Sequence, residues 1–174
     1  MTLAPDRVIT DGRRHFTVAG QDVYDSVEWE LRDARLVDHR DGSVVSMWSA
    51  RDALNSGQHV LFMDADVLYD PQIITALISG PGKTCFAFDT SYEDGEEPVK
   101  FCLNNNGRPV EFRKAVSAKI YDTVGEWVGF IRLAPDFAQA LAGRTCHYVK
   151  NGRGSEPYEE AVRDLLLGEL GATV

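Results

Sequence analysis

Val60-Leu61-Phe62-Met63-Asp64-Ala65-Asp66 is the stretch on which the reading of this chain turns. With His59 before it, Val60 to Met63 is a continuous apolar run of strand length, too short for a buried helix. Asp64 and Asp66 follow at the carboxyl end of that strand, where open α/β sheets collect their ligands. Two carboxylates one residue apart repel each other unless solvent or a cation offsets them. A hard divalent ion, its shell completed by phosphate oxygens, is the productive solution, and a solvated turn is the plain one.

Working outward, Asp70-Pro71 reads as a helix start, a cap followed by proline at the first helical position. Ile73, Ile74, Leu77 and Ile78 supply its apolar face, and Gly80-Pro81-Gly82 breaks it. Thr84 to Phe88 is the next strand. Strand, helix, strand in this rhythm predicts a right-handed crossover and a parallel sheet. On the amino-terminal side, Asp41-Gly42-Ser43 gives a turn and an N-cap for a helix carrying Val44, Met47, Trp48, Ala50 and Leu54, stopped by Gly57. Earlier still, His15 to Ala19 reads as a short strand, and Val23 to Leu36 as a polar helix or irregular segment.

Past Phe88 the pattern changes. Val99, Phe101 and Leu103 alternate with polar residues, Asn104 to Arg108 is a turn, and Val110 and Phe112 resume the alternation, which predicts a hairpin. Trp127 to Leu133 is a further strand, and Pro135 opens an alanine-rich helix expected to end at Gly143. Asn151 to Ser155 is a loop. A closing helix then places Tyr158, Ala161, Val162, Leu165 and Leu166 on one face. The expectation is a single domain over residues 1–174. Its fold is α/β, with a mixed, mostly parallel sheet flanked by helices and an antiparallel insertion in its second half.

The chain has 174 residues, 44% of them apolar, enough for a real core. Its formal net charge of −9 argues against unaided binding to nucleic acid or an anionic membrane. A small phosphorylated ligand needs only a few local cations or a metal. Cys85, Cys102 and Cys146 are isolated, odd in number and set among apolar residues. They read as core-facing thiols in a reducing cytoplasm rather than as zinc ligands or disulfide partners. No apolar run reaches membrane-spanning length.

Val60-Leu-Phe-Met-Asp-Ala-Asp-Val-Leu-Tyr-Asp-Pro, followed by an apolar helix, resembles the metal-binding strand of nucleotidyltransferases that make sugar-nucleotides or choline-type conjugates. It is also similar to the Asp-x-Asp strand of inverting glycosyltransferases, which share the nucleotide-diphosphosugar-transferase architecture. Later segments favour the first family. Glu97-Pro-Val-Lys100, Asn106-Gly-Arg-Pro-Val-Glu-Phe-Arg-Lys114 and Gly125-Glu-Trp-Val-Gly-Phe-Ile131 follow in order. They resemble the run in which a hairpin leads to a substrate-facing lysine before a Gly-Glu element opens the next strand. Val45-Ser-Met-Trp-Ser-Ala50 resembles the segment that contacts nucleotide and substrate in the phosphocholine and phosphonate cytidylyltransferase branch.

The resemblance implies Asp66 as the principal Mg2+ ligand, with Asp64 supporting it. It implies Lys114 on the acceptor phosphate and Glu126 orienting the acceptor. Ser46 would lie beside the ligands, and Trp127 would meet a cationic head group if it is not simply core. Two departures weigh against a complete enzyme. No glycine-rich triphosphate loop precedes Val23, and no second aspartate strand follows the closing helix. The leading expectation is transfer of a nucleotidyl group, CMP in particular, to a phosphocholine-like, phosphonate or sugar-phosphate acceptor. The alternatives are a truncated, non-catalytic nucleotide-binding or partner subunit, and a small glycosyltransferase. An incomplete sheet edge would favour a homodimer.

Overall fold

The computed structural model describes residues 8–10, 15–17, 42–64, 67–116 and 121–168. The chain divides into two compact units, Met1–Leu36 and Val37–Val174. In the first, β1 (Val8–Thr10) and β2 (His15–Thr17) pair antiparallel, with Ile9 opposite Phe16. The strand expected at His15 is therefore present, whereas the polar helix or irregular segment expected over Val23–Leu36 lies outside the described residues.

Among its described residues the larger unit holds five strands: β3 (Val60–Met63), β4 (Cys85–Asp89), β5 (Lys100–Leu103), β6 (Pro109–Arg113) and β7 (Thr123–Leu133). Its described helices are α1 (Ser43–Ser49), α2 (Arg51–Leu54), α3 (Gln72–Ser79), α4 (Pro135–Lys150) and α5 (Tyr158–Leu166). Every strand pairing in this sheet is antiparallel. The expectation of a mostly parallel sheet is therefore corrected. β7 is 11 residues long and buries apolar side chains on both faces, Trp127, Ile131 and Leu133 on one and Phe130 on the other, as suits a central strand. It inserts between β3 and β4, so that Ile131 faces Phe62 on one side and Phe86 on the other. The α3 crossover thus joins two strands that run the same way but never pair. Further along β7, Glu126 lies between Asp89 and Lys100, so the β5–β6 hairpin continues the edge that β3 begins.

The two faces of the sheet are covered unequally. Trp127, Ile131 and Leu133 enter the main core with Phe86, Phe101 and Phe112, under α1, α4 and α5. Aromatic rings run through it in edge contacts, from Phe101 to Phe112 (5.5 Å), Phe112 to Trp127 (5.4 Å) and Trp127 to Tyr158 (5.8 Å). Arg132 leaves the opposite face, as strand alternation requires. There it donates to the carbonyls of Ile78 (2.6 Å), Gly80 (3.1 Å) and Gly82 (2.8 Å), satisfying the carboxyl end of α3. Beside α3 on that face lies an apolar hollow of about 680 Å³, bordered by Leu68, Tyr69, Ile73, Phe88, Val128 and Phe130.

Most elements start where the sequence places them. Asp70 accepts from the Gln72 amide (2.9 Å) to open α3, and Asn104 accepts from the Asn106 and Arg108 amides to shape the β5–β6 turn. Three details differ. The helix expected from Val44 to Leu54 is broken at Ala50, where Ser49 Oγ donates back to the Val45 carbonyl. Ser43 does not cap α1, because its hydroxyl accepts from the amide of Tyr158 instead (2.9 Å). Gly143 does not end α4, since Leu141, Ala142, Thr145 and Tyr148 carry one buried face straight past it. No helix among the described residues is long and apolar enough to cross a membrane.

Candidate functional site

Asp64 leaves the end of β3 on the core face of the sheet. Its amide donates to the Gly129 carbonyl (2.9 Å), continuing the β3–β7 ladder by one residue. Its carboxylate Oδ1 accepts a hydrogen bond from the Tyr158 hydroxyl (2.8 Å). Gly129 makes room for this carboxylate. Its φ of +87° is a left-handed conformation that side chains disfavour, and a Cβ there would stand 2.8 Å from Asp64 Oδ2. A glycine inside a strand is the sequence signal of such a close approach.

Tyr158 is the first residue of α5, and three elements hold it. Its ring packs edge-on against Phe62 (4.9 Å) and Trp127 (5.8 Å), and its amide is bound by Ser43. The α1 amino terminus is in turn pinned to the loop before α5. Gly42 donates to the Gly154 carbonyl (2.9 Å) and Val44 to that of Glu156 (3.2 Å). A Cβ on Gly42 would fall 2.3 Å from the Ser155 backbone, which is why glycine stands there.

Glu159 follows Tyr158 and faces the same region. Burial pushes its carboxyl pKa up; the Asp64 charge pushes it the same way, and Lys114 pulls it down. Its Oε2 is buried without a hydrogen bond. Glu159, Arg113 and Lys114 border a hollow of about 300 Å³ with Val99 and Pro157. Both cations are engaged. Arg113 pairs with Glu160 (2.7 Å), and Lys114 with Glu97 (2.9 Å) across the exposed surface. The hydrogen bond to Glu97 raises the Lys114 pKa, against an opposing effect of burial.

The charges of Asp64 and Lys114 thus both act on Glu159, in opposite directions, and Lys114 shares its hollow. Other expected residues lie elsewhere. Glu126 is half-buried on β7 and, next to Trp127, leaves the opposite face of the sheet. Trp127 is 5% exposed, and its indole N–H donates to the Phe130 carbonyl (3.2 Å), so it sits in the core. Ser46 is exposed on α1, and Asp66 lies outside the described residues. Tyr158 and Glu159 are missed by sequence reasoning as site residues, because a tyrosine on an apolar helical face reads as packing and a glutamate in a first turn as a dipole partner.

Hard oxygen donors such as the Asp64 carboxylate suit Mg2+, and the space that a Cβ on Gly129 would fill lies beside its second oxygen. Among the described residues, no three His, Cys, Asp or Glu side chains cluster to hold a metal ion. No family model matches the chain, and no curated protein matches it.

Proposed function

We propose that the chain is a nucleotidyltransferase-like protein that binds a nucleoside triphosphate and a phosphorylated small acceptor with Mg2+. It transfers the nucleotidyl group, CMP in particular, from one to the other. The observation that supports this reading is that Lys114, at the end of β6, and Glu159 border one hollow, while the Asp64 carboxylate at the end of β3 is held by Tyr158, the residue next to Glu159. Asp64 and Asp66 would hold Mg2+, which offsets negative charge on phosphate oxygens. Lys114 binds the acceptor phosphate, exchanging its exposed bond to Glu97 for the ligand. An acceptor oxygen attacks the α-phosphorus, one P–O bond forms, and the bond to the leaving pyrophosphate breaks.

A binding-only reading has one observation in its favour: the two cations at the hollow are already paired with Glu160 and Glu97. Pyrophosphate release from a panel of triphosphates with phosphorylated acceptors separates the two. Mg2+-dependent release supports the enzyme. Thermal stabilisation by nucleotide and metal without release supports binding alone, and stabilisation unchanged in Asp66→Ala removes the site. Stronger stabilisation by a nucleoside diphosphate with Mn2+ would point instead to the glycosyltransferase alternative.

A further inference from the structure

We infer that Tyr158 is the positioning residue of the Asp64 carboxylate, presetting it for a divalent cation; this rests on the metal site proposed above. A lone aspartate at a strand end samples several rotamers, and a cation must then select one of them. Here two constraints act on the same group. The Tyr158 hydroxyl binds Oδ1 at 2.8 Å, and Gly129, lacking a Cβ, admits the carboxylate against β7. The phenol is itself fixed, since Tyr158 is 7% exposed, its ring is wedged between Phe62 and Trp127, and its amide is held by Ser43. A hydrogen bond from a fixed donor to an ionised acceptor is short and directional. The same bond gives α5 a reason to begin with tyrosine rather than phenylalanine, because ring packing alone needs no hydroxyl.

Carboxylates that ligate metals are themselves held by hydrogen bonds, and losing such a support costs about 10–100-fold in metal affinity. Tyr158→Phe keeps the ring contacts and removes only the hydroxyl. Titration of the full chain with Mn2+ should give at least a 10-fold weaker site in Tyr158→Phe, with a melting temperature close to that of the wild type. Asp64→Asn is run beside it. Wild-type affinity in Tyr158→Phe together with a lost site in Asp64→Asn overturns the positioning role and leaves the metal site standing. Wild-type affinity in Asp64→Asn, or no Mn2+ binding by the wild type, overturns both. Should Tyr158→Phe fail to fold, wild-type protein carrying a 13C label at tyrosine Cζ serves instead. Mg2+ should then shift the Tyr158 resonance while leaving that of Tyr148, which is bonded to Asp164, in place. An unmoved Tyr158 resonance overturns the inference.

Discussion

Arg163 on α5 and Glu111 on β6 meet through two hydrogen bonds, Nε to Oε1 and Nη2 to Oε2, the second at 3.0 Å. Two residues along the strand, Arg113 meets Glu160 with the charges reversed. The crossed pairs dock the closing helix on an edge strand, and each fixes the register of the other.

This docking makes stability pH-dependent in a defined direction. Burial would raise the Glu111 carboxyl pKa, but the hydrogen bond from Arg163, helped by the Phe112 amide and the Arg163 and Arg113 charges, leaves it below the ordinary value. A lowered folded-state pKa contributes stability that is present above the unfolded value of about 4.3 and lost as pH falls through the folded one. Glu111→Gln should cost about 1–3 kcal/mol at pH 7 and flatten the acid limb of a melting-temperature profile. An unchanged acid limb would show that other carboxylates govern it.

Glu159 has the opposite sign. Its raised carboxyl pKa, from burial and the Asp64 charge, means that its contribution is best below the unfolded value and worsens as pH rises through the folded one. Glu159→Gln should therefore melt higher than the wild type at pH 7, with the gap closing toward pH 4. Calorimetry at the two pH values decides it, and a lower melting temperature at pH 7 refutes the sign.

Gly143 lies exposed in the middle of α4, with nothing within 4 Å of a Cβ built there. Glycine in an exposed helix interior costs about 0.8–1 kcal/mol relative to alanine. Gly143→Ala should stabilise the protein by about that much in urea denaturation, with an unchanged m value.

Gly129→Ala should do the reverse. A methyl group at φ +87° is strained, and it also strikes the Asp64 carboxylate. The expected loss is about 1–3 kcal/mol, accompanied by weaker Mn2+ binding. Full stability in this variant would mean that the strand relaxes around the new side chain.

Cys102 is fully buried, and burial together with the Glu111 charge pushes its thiol pKa up to about 11. At pH 8 only about one molecule in a thousand carries the reactive thiolate. Thiol-labelling kinetics should show Cys102 modified only at the rate of unfolding, and faster labelling would place it outside the core.

Local structure was legible in the sequence wherever a single segment carries its own signal. Asp70-Pro71 opens a helix, Asn104 to Arg108 turns a hairpin, and Tyr158 to Leu166 buries one stripe. Strand direction was not legible, because a strand–helix–strand rhythm says that β3 and β4 run alike and is silent on what lies between them. The intruder, β7, is contributed from more than thirty residues beyond β4. At the site, Asp64 is visible as a carboxylate at a strand end, but its partner Tyr158 is 94 residues away and shares the buried face of its helix with Ala161, Val162, Leu165 and Leu166. Ser43 shows the same limit, since it has the chemistry of a cap yet serves the amino terminus of another helix.

The central place of β7 bears on how the chain is made. β3, β4 and β5 each pair with β7, and before it only the β5–β6 hairpin can close within this sheet. A ribosome must therefore complete residue 133 and release it from the exit tunnel before β3 and β4 acquire any partner within it. Until then Leu61, Phe62, Phe86 and Phe88 travel as naked strand edges, the state in which nascent chains aggregate or recruit chaperones. The architecture trades early folding for one late, cooperative closure around a single strand.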